Sequence, residues 1–486
     1  MRRLPLLAVL CLTASAATVA RADQTPTPAG DATMSDEPTF TLGNPALHDR
    51  NVKVTLYGFV ESDTLYDSTQ SYNEVQGAGG IQKVNSEAGE NGRFTFSLRN
   101  SRIGLKVDGP EASNGVKAMG NLEMDFLGFD SISAVATTPA VVATPEANLL
   151  ATPTFRLRHG YVKLMTPFID VLVGQYWTTF GASYLYGPAS GTLQGLPGTI
   201  YQRTPQIRIG KLVKFGDFGA ELQLAAQRPF QRDVGVPDFA GYLRLLWDGY
   251  KSYRAIGGTG GDERGIEISA SALTRQFRVL DPTCGQATST SCPTGSSTTS
   301  TYQTASGSGL ALDFNIPIIA STKKDRSNGL TLSGELTTGS GDGDAFQSYN
   351  AGVSSVGTPK GAAATYATGA SLDPGPAAFN NTGSAGVLDT VDVKTMFFTL
   401  QYFLPVANGS VFVNAIYGAM LNDNATNFVA AASAIPDIRY VEGDVFWDIT
   451  SAARVSFAWA KTRERYGDNS VPRTNDRFQL SAWYIF

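Results

Sequence analysis

The chain has 486 residues, with 38 Lys and Arg against 43 Asp and Glu and a formal net charge of −5. A mildly acidic balance excludes a protein drawn to nucleic acid by bulk charge. The 51 Gly, 26 Phe and 19 Tyr, with no apolar run of membrane-helix length beyond the N-terminal segment, exclude a helical membrane bundle and leave a soluble all-β protein or a transmembrane β-barrel.

Residues 1–22 carry Arg2 and Arg3, an apolar run from Leu4 to about Ala20, and Ala20-Arg21-Ala22. This is the layout of a cleaved secretory signal peptide. Its removal takes the formal charge from −5 to −8 and leaves two of the three cysteines, Cys284 and Cys292. In an exported chain these are expected to form a loop disulfide. No Cys/His cluster offers a metal site, and no cofactor is expected. Residues 23–50, rich in Pro, Thr and Asp, read as a flexible linker.

From Val52 the pattern has period two. In VKVTLYGFVESD, Val52, Val54, Leu56 and Val60 oppose Lys53, Thr55, Tyr57, Glu61 and Asp63, which predicts a strand with one apolar and one polar face. Sixteen such segments start near residues 52, 93, 115, 154, 168, 205, 218, 238, 264, 307, 328, 391, 409, 437, 452 and 474. The apolar parity slips between Leu98 and Ile103 and again near His159, and a β-bulge accounts for either slip. The gaps alternate: long at 66–92, 128–153, 178–204, 340–390 and 422–436, short at 108–114, 165–167, 215–217, 405–408 and 450–451. Only 249–263 is too long for its place. Long loops alternating with tight turns predict an antiparallel up-and-down transmembrane β-barrel of about 16 strands over 51–486. The final QLSAWYIF would close it by pairing with the first strand.

The polar faces carry mixed charges, as a water-filled lumen requires. Arg99, Arg102, Lys106, Lys117, Arg156, Arg158, Arg203 and Arg208 concentrate in the second to sixth strands, whereas Tyr176–Gln202 contains no charged residue. Folded inward, this third loop would present Tyr184, Tyr186 and backbone groups to a basic wall. Rings of Arg favour anions and bind carboxylates bidentately, so the expectation is a constriction for small organic anions.

Several stretches carry a family resemblance. VTLYGF, SRIGLKVDGPEASNGVKAMGNLEMDF and the aromatic C-terminus resemble the trimeric porins of Gram-negative outer membranes. RLRHGYVKL, VLVGQYWTTF, TPQIRIG and GELTTGSGDGDA resemble the DcaP-like porins more particularly. The resemblance spans about 50–486. It implies dicarboxylate uptake, a homotrimer, Arg102, Arg156, Arg158 and Arg208 as channel-wall arginines, and an inward third loop. Gln479, Tyr484 and Phe486, with Ser481 in place of the usual Gly, resemble the C-terminal signal read by the outer-membrane insertion machinery. The implied surroundings are the lipid bilayer and lipopolysaccharide, and the partners are small-molecule solutes. Residues 23–50 show no heptads, unlike family members with an N-terminal coiled coil.

Two other classes stay open. A sugar-type or plugless siderophore-type porin would use Tyr176, Trp177, Tyr184, Tyr186 and Tyr201 as an aromatic track. A barrel enzyme would need a nucleophile and base, yet the histidines are only His48, in the linker, and His159. GSGDGDA is too short for a calcium loop and lacks its distal Glu.

Overall fold

The computed structural model describes residues 39–43, 51–72, 74–75, 80–128, 154–182, 187, 189–192, 196–229, 234–257, 260–280, 302–346, 377–379, 388–428, 431–432 and 434–486. Residues 1–38, and with them the signal segment, lie outside this set. So do Cys284, Cys292, Tyr184 and Tyr186. The described chain winds into sixteen barrel strands: β1 (Asn51–Asp67), β2 (Arg93–Ser97, resumed by Arg102–Asp108), β3 (Lys117–Gly128), β4 (Thr154–Met165), β5 (Asp170–Trp177), β6 (Arg203–Phe215), β7 (Phe218–Gln227), β8 (Asp238–Ile256), β9 (Gly260–Leu280), β10 (Tyr302–Ile319), β11 (Leu330–Ser340), β12 (Asp392–Phe403), β13 (Val411–Leu421), β14 (Asp437–Asp448), β15 (Ala453–Arg465) and β16 (Arg473–Ile485). Each strand pairs antiparallel with the next. β16 returns to β1 in a ladder from Phe59↔Ile485 to Asp67↔Arg477. A short strand, Thr39–Gly43, inside the segment read as linker, pairs with Asn51–Thr55.

Burial runs opposite to that of a soluble protein. Phe155, Leu480 and Tyr484 are 58%, 56% and 61% exposed on the outer wall, while Asp63 and Asp313 are 0% exposed on the inner one. This inversion is what a bilayer outside and polar packing inside select. The terminal aromatic completes the closure. Phe486 exchanges two 3.0 Å backbone hydrogen bonds with Gly58, and its ring lies over that glycine. Gln479 points inward, its Nε2 donating to Asp63 Oδ1 at 3.0 Å.

The two parity slips have different origins. In β4, His159 stands opposite Glu123 and Leu157 opposite Met124. Arg158 is therefore an extra residue, a bulge that turns both Arg158 and His159 toward the inner face. In β2 the expected bulge is instead a break: the strand stops at Ser97, turns through a Ser101 N to Leu98 O bond of 3.1 Å, and resumes at Arg102.

The anomalous stretch 249–263 is a hairpin that extends β8 and β9 past a register shift between Trp247 and Ser252. It leans across the turn end of the barrel. Ala255 N donates to Gln401 Oε1 on the inner face of β12 at 2.7 Å, and Gln401 Nε2 donates back to Ala255 O at 3.2 Å. Tyr253 and Ala255 join a buried apolar cluster with Phe403, Phe412, Phe446 and Trp483, whose rings follow one another at 4.9, 4.7 and 6.1 Å.

Barrel closure yields a direct test. A Cβ at position 58 would overlap the Arg102 carbonyl oxygen and press on the Phe486 ring. Gly58→Val is expected to cost about 3 kcal/mol, the upper end of overpacking penalties. The loss would be read as a reduced folded, heat-modifiable fraction on refolding into liposomes.

Candidate functional site

The inner faces of β2 to β6 form one basic wall. Arg102, Arg156 and Arg158 converge on two carboxylates of β3, Glu123 and Asp125. Arg158 Nε lies 2.7 Å from Glu123 and its Nη1 3.0 Å from Asp125. Arg156 reaches Asp125 at 2.5 Å, and Arg102 Nε reaches Glu123 at 3.6 Å. Glu123 also accepts from Tyr57 Oη at 3.1 Å.

Arg203 and Arg208 have ring faces in place of carboxylates. The Arg203 guanidinium lies over Trp177 at 5.0 Å and Tyr201 at 5.2 Å, and Arg208 over Tyr176 at 4.9 Å. Stacking orients a guanidinium plane without neutralising it. Five cations thus face two carboxylates, an excess of three positive charges among the described residues. Arg203 is close enough to Arg158 and Arg156 to be repelled by them. Arg203 Nη1, Arg208 Nη1, Arg102 Nε and His159 Nε2 are buried with no hydrogen-bond acceptor among the described residues. His159 packs on Tyr176 at 4.8 Å, Tyr161 on Tyr176 at 4.9 Å, and Trp177 on Tyr201 at 4.8 Å.

Not every residue expected on the wall joins this cluster. Lys106 and Lys117 pair with Asp108 at 3.8 and 3.2 Å, near the turn end. Arg99 is buried against Glu74 at 2.9 Å, tying the first loop down. Sequence reasoning missed His159, whose inward position depends on the bulge, and the pairing of Glu123 and Asp125 with the arginines, although both lie on the polar face of their strand.

The third loop runs inward, along the opposite wall and back. Its backbone and hydroxyls donate to inward carboxylates in chain order. Ala182 N reaches Asp313 at 3.2 Å, and Ser190 Oγ reaches Glu442 at 2.7 Å. Gly191 N reaches Asp444 at 3.2 Å and Ile200 N reaches Glu335 at 2.6 Å. Thr192 adds two bonds to Glu442, at 3.3 and 3.1 Å, and Thr395 Oγ1 donates to Gly198 O at 3.0 Å. Because the loop contains no charge of its own, these carboxylates are consumed in holding it and lie buried beneath it. The inner surface is thereby divided between a basic wall and a neutral loop.

No protein-family model matches the chain, and no curated protein matches it in sequence. Solved structures do. The outer membrane channel DcaP of Acinetobacter baumannii superposes with a TM-score of 0.59 at 16% identity, over 90% of this chain and 97% of that one. The fold is that of an outer-membrane porin. An anion-selective porin from Comamonas acidovorans gives 0.47 at 13% identity over 90% and 100% of the two chains. Salmonella typhi OmpF gives 0.47 at 8% over 89% and 98%.

Two expectations test the clamp. Glu442→Ala removes the acceptor for three loop donors. At about 0.5–1.5 kcal/mol each the loop loses roughly 2–4 kcal/mol of anchorage, and single-channel records should show larger, noisier openings. Asp342, just after β11, lies beside the loop's Phe180. Burial first, and Asp344 second, push its carboxyl up to about 7. An acid with a raised folded pKa favours the folded state only while protonated, so stability is lost as pH climbs from its unfolded value near 3.8 to about 7. Asp342→Asn should therefore raise the urea midpoint at pH 8 and raise it less at pH 5, read by tryptophan fluorescence.

Proposed function

We propose that the protein is a passive, non-enzymatic outer-membrane channel for small hydrophilic solutes, favouring organic anions such as dicarboxylates and working as a homotrimer. In this reading it is exported by a cleaved signal peptide (residues 1–22) and inserted through the signal formed by Gln479, Tyr484 and Phe486. The observation that carries the preference is the pair Arg203 and Arg208. Both are stacked on aromatic faces, each with one buried N–H that has no acceptor and no ion-paired carboxylate among the described residues. A solute carboxylate supplies what these guanidiniums lack, in the bidentate geometry they favour. A second carboxylate on the same solute would engage the net positive Arg102–Arg156–Arg158 group.

The aromatic rings could also serve a sugar track. The faces of Tyr176, Trp177 and Tyr201, however, are covered by guanidinium groups at 4.9–5.2 Å, which favours anion binding at this wall.

Planar-bilayer recording under a salt gradient tests the reading. Triplet conductance steps, an anion-selective reversal potential and block by succinate are expected. Cation selectivity would overturn the preference, and absence of conductance from folded protein would overturn the channel. In Arg203→Gln/Arg208→Gln, lost charge-assisted hydrogen bonds of about 1.5–3 kcal/mol each should raise the half-blocking succinate concentration at least about tenfold.

A further inference from the structure

The turn end of the barrel repeats the construction of the basic wall on a smaller scale. Arg326, in the turn between β10 and β11, lies over the rings of Tyr253 and Phe403 at 5.3 and 5.4 Å. Arg454, on the inner face of β15, lies over Phe412 and Phe446 at 5.3 and 5.7 Å. The two guanidiniums share one carboxylate, Asp448 at the end of β14, each at 2.6 Å. Stacking fixes their planes without neutralising them, so two cations on one carboxylate keep an excess of one positive charge. The side chains of Arg326 and Asp448 stay 15% and 14% exposed, so the group is open to solvent.

The β8–β9 hairpin helps to build this group. It brings in Tyr253, whose backbone N donates to Ser321 O and Oγ at 3.2 and 3.1 Å, in the turn that also carries Arg326. The ring row is joined to the wall. Phe59 belongs to the same apolar cluster as Phe403, Phe412, Phe446 and Trp483, and Arg102 lies 5.0 Å above its ring. Arg102 in turn shares Glu123 with Arg158, whose Nη2 reaches Tyr201, the ring under Arg203. Guanidinium groups therefore continue from the Arg203–Arg208 pair to Arg454 and Arg326. Glu61, opposite Trp483 across the closing seam, already accepts from Asn100 Nδ2 at 2.6 Å.

We propose that Arg326 and Arg454, set on these rings and clamped by Asp448, form a second carboxylate site at the turn end of the channel, the exit station for organic anions released from the Arg203–Arg208 wall. The argument is graded charge. A channel conducts only if its solute binds well enough to enter and weakly enough to leave, which successive sites of unequal strength achieve. The wall holds an excess of three positive charges, and the turn-end group an excess of one, because Asp448 competes for both guanidiniums. A solute carboxylate displaced from the wall finds forked donors here, but shares them with a fixed carboxylate and is let go. The inference rests on the organic-anion reading above.

Liposome swelling and planar-bilayer recording of the full-length protein test the site. Arg326→Gln/Arg454→Gln should slow swelling in succinate about tenfold, the low end of what focused charge contributes to local solute concentration. Swelling in the uncharged sugar arabinose should not change, and the reversal potential under a KCl gradient should shift toward cations. Asp448→Asn keeps both arginines and removes their shared counter-charge. It should strengthen anion preference and lengthen succinate dwell times, an outcome that a merely structural clamp does not give, and it serves as the readout if the double variant does not fold. Equal slowing of succinate and arabinose would overturn the exit site. So would an unchanged succinate rate and reversal potential in the double variant, or an unchanged or weaker anion preference in Asp448→Asn. The wild-type protein tests the underlying reading separately: cation selectivity there would overturn the preference at the wall, while the shifts in the variants still read the turn-end group.

Discussion

Every backbone N–H and C=O that faces hydrocarbon must be paired, because each one left open costs several kcal/mol there. The β1–β16 ladder is where this constraint is met last. The two strands that meet are at opposite ends of the chain, and their pairing runs from Asp67↔Arg477 down to Phe59↔Ile485, with Phe486 finishing on Gly58. The inner face reinforces the seam: Arg477 holds Asp67 at 2.7 Å, and Ser481 Oγ donates to Asp63 at 2.6 Å. Closure also fixes the circumference, and with it which strands face each other across the interior.

That facing relation gives the interior its electrical asymmetry. Carboxylates occur on both sides. On the β2–β6 side Glu123 and Asp125 are outnumbered by arginines. On the far side Asp313, Glu335, Glu442 and Asp444 lie under the third loop and accept its donors. The charge-free loop is held by carboxylate acceptors on this wall, with Thr395 and Asn414 donating back to its carbonyls, so the negative side is covered by neutral backbone while the positive side keeps its excess. The same economy recurs at the turn end, where Arg326 and Arg454 share Asp448, each at 2.6 Å, and stack over the Phe403–Phe412–Phe446 ledge.

The inward hairpin of β8 and β9 adds a second inward-reaching element, at the turn end of the barrel. Its apolar tip replaces the polar contacts that hold the third loop. Tyr253 and Ala255 bury against aromatic side chains, while Gln401 bonds the backbone of Ala255 and Ser321 accepts from Tyr253 N. The two elements meet in this cluster, because Ala189 of the third loop belongs to it.

The fold was legible in the sequence because period two, sustained through sixteen segments, leaves one face for lipid and one for water. Expected starts near 52, 115, 205 and 452 correspond to strands beginning at Asn51, Lys117, Arg203 and Ala453. A parity slip shows that the phase changes but not how. The slip at His159 is a bulge and the slip at Leu98 is a broken strand, because neighbouring strands decide whether an extra residue can be absorbed. The positions of Arg102, Arg156, Arg158 and Arg208 on the polar face were likewise readable. Which of them would be neutralised was not: register between β2, β3 and β4 gives Glu123 and Asp125 to the first three, and register between β5 and β6 leaves Arg203 and Arg208 to aromatic rings. Alternation along one strand is a local property of the chain, whereas counter-charge depends on which strand lies beside it and at what offset, and only closure of the barrel sets that.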